Sequence, residues 1–90
     1  MQKLLLGASA LLLAQTRSII DFGAEVGRAE NTTRAFINSR AMYQAIIAAN
    51  QSSDDRTVLI PKGSQFIMMP VYPTNVHNIT FQVDGEVYAS

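Results

Sequence analysis

The chain has 90 residues, of which 48% are hydrophobic and 16% are charged, and its formal net charge is zero. This composition is typical of a globular protein, and the balanced charge argues against a nucleic acid or an anionic membrane surface as a partner. The chain has no cysteine and one histidine, His77. These counts exclude a disulfide framework, a thiolate metal site and a multi-histidine metal site within it.

Residues 1–18 are predicted to be a secretory signal peptide. Lys3 supplies a positive charge, an apolar run extends from Leu4 to Ala14, and small and polar residues follow. This order is typical of a secretion leader, and the run is shorter than the about 20 apolar residues that a membrane span needs. A buried N-terminal helix is the alternative. We therefore expect residues 19–90 to be the mature part of a secreted protein, without membrane association after cleavage.

Three asparagines lie in the acceptor pattern for N-linked glycosylation, which agrees with secretion. They are Asn31, Asn50 and Asn78, each followed two residues later by serine or threonine. The pattern is short, and a role in a turn or a helix cap explains each asparagine as well. We expect Asn50 and Asn78 to be the preferred glycan sites.

The residues after the leader predict a short strand and then a loop. Apolar and β-branched residues dominate Ser18–Ala24, and Gly23 ends this run. Residues 25–37 are polar and show no clear period. They predict a long loop with a possible helical turn near its end.

The clearest helix is predicted to begin at Asn38 or Ser39, because either side chain can accept a backbone hydrogen bond as an N-cap. Apolar residues then recur at three- and four-residue spacing, which places them on one stripe that faces a core. They are Ala41, Met42, Ala45, Ile46 and Ala49. Tyr43 and Gln44 are expected on the solvent side, and turn-forming residues end the helix after Asn50.

Four short strands are predicted next, and a turn signal separates the members of each pair. "TVLI" and "QFIMMPVY" lie on either side of Pro61 and Gly63, and "ITFQV" and "EVY" on either side of Asp84 and Gly85. Proline lacks the N–H that a strand ladder needs, and Asp-Gly is a tight-turn signal. Strands this short favour a sandwich, a barrel or a solenoid. A solenoid explains the alternation of strand and corner best, with the helix over one end of the stack.

The order of these segments resembles the N-terminal part of polygalacturonases, glycoside hydrolase family 28, in the pectin lyase-like superfamily. "IIDFGA" is similar to the family's opening motif, "NSRAMYQAIIAAN" to its helix, "RTVLIPKGSQF" to its strand pair and "NVHNITFQVDGEVYAS" to the coil that follows. The resemblance implies a mainly β fold over residues 19–90. That fold would be an N-terminal cap helix plus the first coil or coils of an incomplete right-handed parallel β-helix.

The resemblance also implies a function, a secreted hydrolase that cleaves acidic, pectin-type polysaccharides by inversion. The family's Asn-Thr-Asp, Gly-His-Gly and Arg-x-Lys motifs do not occur in the chain. No catalytic, cofactor-binding or metal-binding residue is therefore expected here, and coils beyond Ser90 would hold the polysaccharide. This segment would cap the fold without doing chemistry, and whether the whole protein is an enzyme stays open.

A non-catalytic secreted module, carbohydrate-binding or structural, is the alternative function. On its own, the chain is expected to self-associate through unpaired strand edges, because such edges recruit other strands.

Several isolated polar and aromatic residues are candidates for a site. Asp54 and Asp55 form a carboxylate pair, but glycosidases need two carboxyl groups about 5 to 9.5 Å apart that converge on one bond from fixed elements. A solvated turn is therefore the favoured interpretation, and Asp84 and His77 are interpreted as turn and loop residues. Aromatic rings that stack on sugars if they are exposed are those of Tyr43, Tyr72 and Tyr88.

Overall fold

The computed structural model describes residues 16–90. Within them lie one 19-residue helix, α1 (Thr32–Asn50), and a short 3-10 helix, Ile19–Phe22. The strands are β1 (Arg17–Ser18), β2 (Thr57–Ile60), β3 (Gln65–Met68), β4 (Thr80–Val83) and β5 (Glu86–Ala89). The four strands predicted after the helix are confirmed, with the Pro61–Gly63 and Asp84–Gly85 turns where the sequence places them. The second strand is shorter than predicted, because it ends at Met68 and not at Tyr72.

The strands form two small parallel sheets. One sheet has the order β1-β2-β4, and the other pairs β3 with β5. Gly27 adds a bridge to β3 from the other side, since its N–H donates to Gln65 O (2.6 Å) and its carbonyl accepts from Ile67 N (3.0 Å). Within the described residues, β2 and β3 therefore have neighbours on both sides, whereas β4 and β5 each have one open edge.

The prediction of a right-handed parallel β-helix is wrong. Residues 16–90 form a small unit of one helix and short strands in two small parallel sheets, and no solenoid is seen among them. A solenoid needs at least about three repeats of one unit, each stacked on the next. Here the β2–β3 and β4–β5 pairs are alike, but the sheets are three and two strands wide. The short spacing of strands and turns indicated how neighbouring strands connect, not how many repeats stack.

The start of the helix was also predicted wrongly. α1 begins at Thr32, and its N-cap is Asn31, whose Oδ1 accepts from Arg34 N at 2.9 Å. Residues 32–37 contain two threonines and no regular apolar stripe, so their local sequence favours a loop. Packing decides otherwise, because Ala35 is fully buried in this first part of the helix.

The predicted strand at Ser18–Ala24 is mostly a 3-10 helix. Ser18 Oγ accepts from Ile20 N (3.1 Å), and Asp21 Oδ2 accepts from Ser18 N (3.2 Å), which together form a capping box. Gly23 closes the element at φ +100°, a conformation that suits glycine. This reciprocal pair of hydrogen bonds outweighs the strand preference of the two isoleucines, Ile19 and Ile20.

The apolar stripe of α1 lies where it was predicted. It packs on a core whose largest fully buried apolar side chains are Phe66, Ile19, Ile60 and Val58. Ala41, Ala45, Ile46 and Ala49 are buried and Met42 is partly buried, whereas Tyr43 and Gln44 are exposed. The described helices include none that is long and apolar enough to cross a bilayer.

Most of the predicted leader lies outside the described residues, but its last three residues belong to the fold. Arg17 and Ser18 form β1, which pairs with Val58 and Leu59 of β2. Thr16 makes a side-chain hydrogen bond to Asp55. The folded part therefore includes Thr16–Ser18, within the range predicted for the leader, and a secreted chain keeps the contacts of these residues only if the leader is cut before Thr16.

Candidate functional site

The predicted carboxylate pair separates into two unlike residues. Asp54 is exposed in the turn, as predicted, with its N–H donating to Ser52 Oγ. Asp55 differs from the prediction, because both carboxylate oxygens accept hydrogen bonds: Oδ2 from Thr16 Oγ1 and Oδ1 from Thr57 N, each at 2.9 Å. Its carbonyl accepts from Arg17 Nη1 at 2.7 Å. Asp55 therefore fastens the N-terminal strand to the start of β2.

These contacts lower the pKa of the Asp55 carboxyl below its ordinary value of 3.8. The Thr16 hydroxyl contributes most, and the hydrogen bonding of Thr57 comes next. Both favour the ionised form. An aspartate held in its ionised form by structural donors is a poor general acid.

We expect the stabilising effect of Asp55 to depend on pH. Because its pKa is lower in the folded than in the unfolded chain, the stabilisation is fully present above the unfolded value of 3.8 and is lost as the pH falls through the folded value. Urea unfolding of the wild type and of Asp55→Asn should therefore differ at pH 7 and converge in acid. A difference between the two that is unchanged from pH 7 to about pH 2 would contradict this assignment.

The second acidic cluster surrounds Glu86, which the sequence did not single out. Glu86 Oε1 accepts from Gln65 Nε2 (2.8 Å) and from the Tyr88 hydroxyl (2.6 Å). These bonds, the one from Tyr88 first, lower the pKa of Glu86. Arg28 donates to the Tyr88 hydroxyl, and its guanidinium lies 5.3 Å from the centre of the Tyr88 ring. The cluster is a set of exposed side-chain hydrogen bonds that links Arg28 to β3 and β5.

The remaining candidates do not form a site with these residues. Asp84 is exposed at its turn, where its carboxylate accepts from Gln82 Nε2 at 2.8 Å. His77 is exposed in the loop before β4, as predicted. Across residues 16–90, no group of three or more histidine, aspartate or glutamate side chains is arranged to hold a metal ion.

Arg56 joins the end of α1 to the loop that precedes β4. Its Nη1 donates to the carbonyls of Asn50 (2.8 Å) and Ser52 (2.7 Å), and its Nη2 donates to Asn50 Oδ1 (2.9 Å) and to the His77 carbonyl. Asn50 Oδ1 also accepts from His77 N at 3.0 Å. One guanidinium therefore satisfies carbonyl groups that the helix end leaves without a helical donor.

We expect Arg56→Lys to destabilise the protein by about 2 kcal/mol, because an ammonium is not a planar fork and loses part of this set of charged hydrogen bonds. Arg40→Lys is the control, since Arg40 is exposed on α1, whose end Arg56 contacts. Urea unfolding followed by circular dichroism measures both. Equal losses in the two variants would show that Arg56 does not hold the helix end.

The structure distinguishes the three predicted glycan sites. Asn31 is exposed, and its oxygen caps α1. Asn50 is partly buried, and its Nδ2, the atom that would carry the glycan, donates to Asn75 O at 3.2 Å. Asn78 is exposed at φ +56°, and Thr80 of its acceptor pattern is also exposed. A glycan at Asn50 would break a hydrogen bond and crowd Arg56, whereas one at Asn78 meets neither obstacle.

We therefore expect Asn78 to carry more glycan than Asn50 in folded protein secreted from a eukaryotic host. Glycopeptide mass spectrometry measures the occupancy of each site. Thr80→Ala removes the acceptor pattern at Asn78 and provides the control. Higher occupancy at Asn50 than at Asn78 in folded material would contradict the accessibility argument.

One open apolar groove of about 490 Å³ lies between α1, the loop after β3, and the strands β4 and β5. Its apolar lining includes Met42, Ile46, Met68, Val71, Phe81 and Val87. Tyr72, in the same loop, has 81% of its surface exposed. Among the lining residues that lie within 16–90, none is acidic or basic, and most are apolar.

No family model matches the chain, and comparisons with curated proteins and with solved structures found no match either. The resemblance to polygalacturonases therefore rests on the sequence motifs alone.

Proposed function

We propose that the chain is a non-catalytic framework segment of a secreted protein that acts on acidic, pectin-type polysaccharides. One observation carries the framework role: both oxygens of the Asp55 carboxylate accept structural hydrogen bonds, Oδ2 from the Thr16 hydroxyl next to β1 and Oδ1 from Thr57 N at the start of β2. One oxygen of the Glu86 carboxylate, Oε1, accepts hydrogen bonds from Gln65 and Tyr88. The link to polysaccharides is supported by the resemblance of the four sequence segments to polygalacturonases.

The test of this proposal is an activity assay on the secreted chain. Incubation with polygalacturonate should release no reducing sugar above the level of a heat-denatured sample. Release that depends on the folded chain would overturn the non-catalytic assignment. Asp55→Asn and Glu86→Gln would then show which carboxylate takes part.

A carbohydrate-binding module is the second candidate, and the exposure of Tyr72 favours it. The Tyr72 side chain projects from a loop between Pro70 and Pro73, and aromatic rings displayed in this way stack on sugar rings. Affinity electrophoresis in gels that contain polygalacturonate distinguishes the candidates. A binding module is retarded, and Tyr72→Ala abolishes the retardation, whereas Phe36→Ala, which removes another exposed aromatic ring, does not. A framework segment migrates at the same rate with and without the polysaccharide.

A further inference from the structure

Among residues 16–90, no strand pairs with the outer edges of β4 and β5, and the backbone groups on these edges belong to apolar residues. Thr80 N donates to the carbonyl just before β2, and Asp84 N donates to the last carbonyl of β2. In the same way, Glu86 N donates to the carbonyl just before β3, and Ser90 N donates to the last carbonyl of β3. Successive residues of a strand direct their backbone groups to opposite sides. The groups of Phe81 and Val83 in β4, and of Val87 and Ala89 in β5, therefore point away from the sheets. We call these four residues the open edge.

The open edge is arranged symmetrically about Gly85. Val83 and Val87 each lie two residues from Gly85, and Phe81 and Ala89 each lie four residues from it. In an antiparallel ladder, two opposite residues can exchange both of their N–H···O bonds. A two-fold axis at Gly85 would set Val83 opposite the second copy's Val87, and Phe81 opposite its Ala89. All four members of the open edge on each copy would then have partners.

The side chains of the open edge fit the same partner. Phe81, Val83 and Val87 have 48%, 57% and 44% of their surfaces exposed, and natural edges usually carry lysine, proline or a bulge at such positions. Phe81, Val87 and Ala89 also line the apolar groove. Pairing of the edges therefore covers part of the groove at the same time.

We infer that the open edge is an interface for a second copy of this chain. β4 of one copy pairs antiparallel with β5 of the other, about a two-fold axis at Gly85. The interface is isologous, so each copy supplies both a strand to pair and a groove to cover. It is also small, which places it among weak, reversible contacts.

Sedimentation velocity on the secreted chain tests the inference. We expect a reversible monomer–dimer equilibrium, with dimer evident by about 100 μM, as is typical of a small interface. Val83→Lys introduces a charge at the centre of the edge and should raise the dissociation constant by about tenfold or more. Gln82→Lys is the matched control, because the backbone groups of Gln82 face β2, and it should leave the dissociation constant nearly unchanged.

Two further variants test the symmetry. The axis brings Asp84 of one copy beside Glu86 of the other, so Asp84→Asn should tighten the dimer by removing a like-charge contact. The chain has no cysteine, so a mixture of Val83→Cys and Val87→Cys chains should form a mixed disulfide between copies on oxidation. Far-UV circular dichroism establishes that each variant is folded.

Several results would overturn the inference. If the wild type stays monomeric at concentrations up to about 100 μM, the open edge does not bind a second copy of this chain. A dimer that Val83→Lys and Gln82→Lys weaken equally would place the contact elsewhere. A dimer that forms no mixed disulfide would rule out the axis at Gly85.

Discussion

Asn38→Leu should cost about 3 kcal/mol or more of unfolding free energy, although it exchanges a polar side chain for an apolar one of similar size inside the protein. Asn38 is fully buried in α1. Its Oδ1 accepts from Glu25 N (2.6 Å), and its Nδ2 donates to Glu25 O (3.0 Å) and to Ile67 O (2.8 Å). Leucine leaves the buried Ile67 carbonyl and the partly buried Glu25 backbone groups without their partner, and an unsatisfied buried group costs about 1 to 3 kcal/mol.

Two further variants separate this hydrogen-bond network from a general effect of changing the helix. Gln44→Leu alters an exposed position of α1 and should change stability by less than about 0.5 kcal/mol. Asn38→Asp keeps an acceptor for Glu25 N but sets a carboxylate against two carbonyls. Its loss should be large at pH 7 and smaller in acid, where the protonated carboxyl donates again. Urea unfolding measures all three, and similar losses for Asn38→Leu and Gln44→Leu would contradict the network.

Ala45→Asp should abolish cooperative unfolding. Ala45 is fully buried in the core cluster with Phe66 and Val58. A carboxylate there has no charged partner, and burying an unpaired ionised group costs several kcal/mol or forces its protonation. A domain of this size has only about 3 to 5 kcal/mol of stability to lose.

Gln44→Asp is the control for this substitution, because it adds the same side chain at the adjacent residue, which is exposed. It should cost less than about 1 kcal/mol, which is the difference in helix propensity. Thermal melting followed by circular dichroism compares the two variants. Comparable melting temperatures would mean that the apolar stripe of α1 does not face the core.

The strands after α1 were predictable because their signals are local. Pro61 ends β2 through its missing N–H, and the Asp84–Gly85 pair turns the chain between β4 and β5. The buried stripe of α1 was predictable for the same reason, since a spacing of three and four residues defines one side of a helix. None of these signals requires knowledge of a distant contact.

The beginning of α1 could not be predicted in this way. Asn38 was interpreted as an N-cap, because asparagine next to serine at the start of an apolar stripe is a common cap signal. In the structure its side chain instead accepts a hydrogen bond from Glu25 N and donates one to Ile67 O. Asn31, the actual cap, lies in a polar stretch that contains no apolar period to mark it.

In the candidate site, too, local sequence predicted some features and missed those that depend on distant contacts. The sequence identified Asp54 and Asp55 as neighbours but could not distinguish them, because they differ through contacts to Thr16 and Thr57. The Glu86 cluster was missed, since its members come from three separate segments.

Residue type and short spacing alone determined the absence of cysteine chemistry, the stripe of α1, and the strands and turns that follow it. The number of stacked strands, the start of the helix and the role of each carboxylate depended on tertiary contacts. The physical reason is separation along the chain. Asn38 meets Ile67 across 29 residues, and Thr16 meets Asp55 across 39. A pattern confined to neighbouring residues carries no record of such pairs.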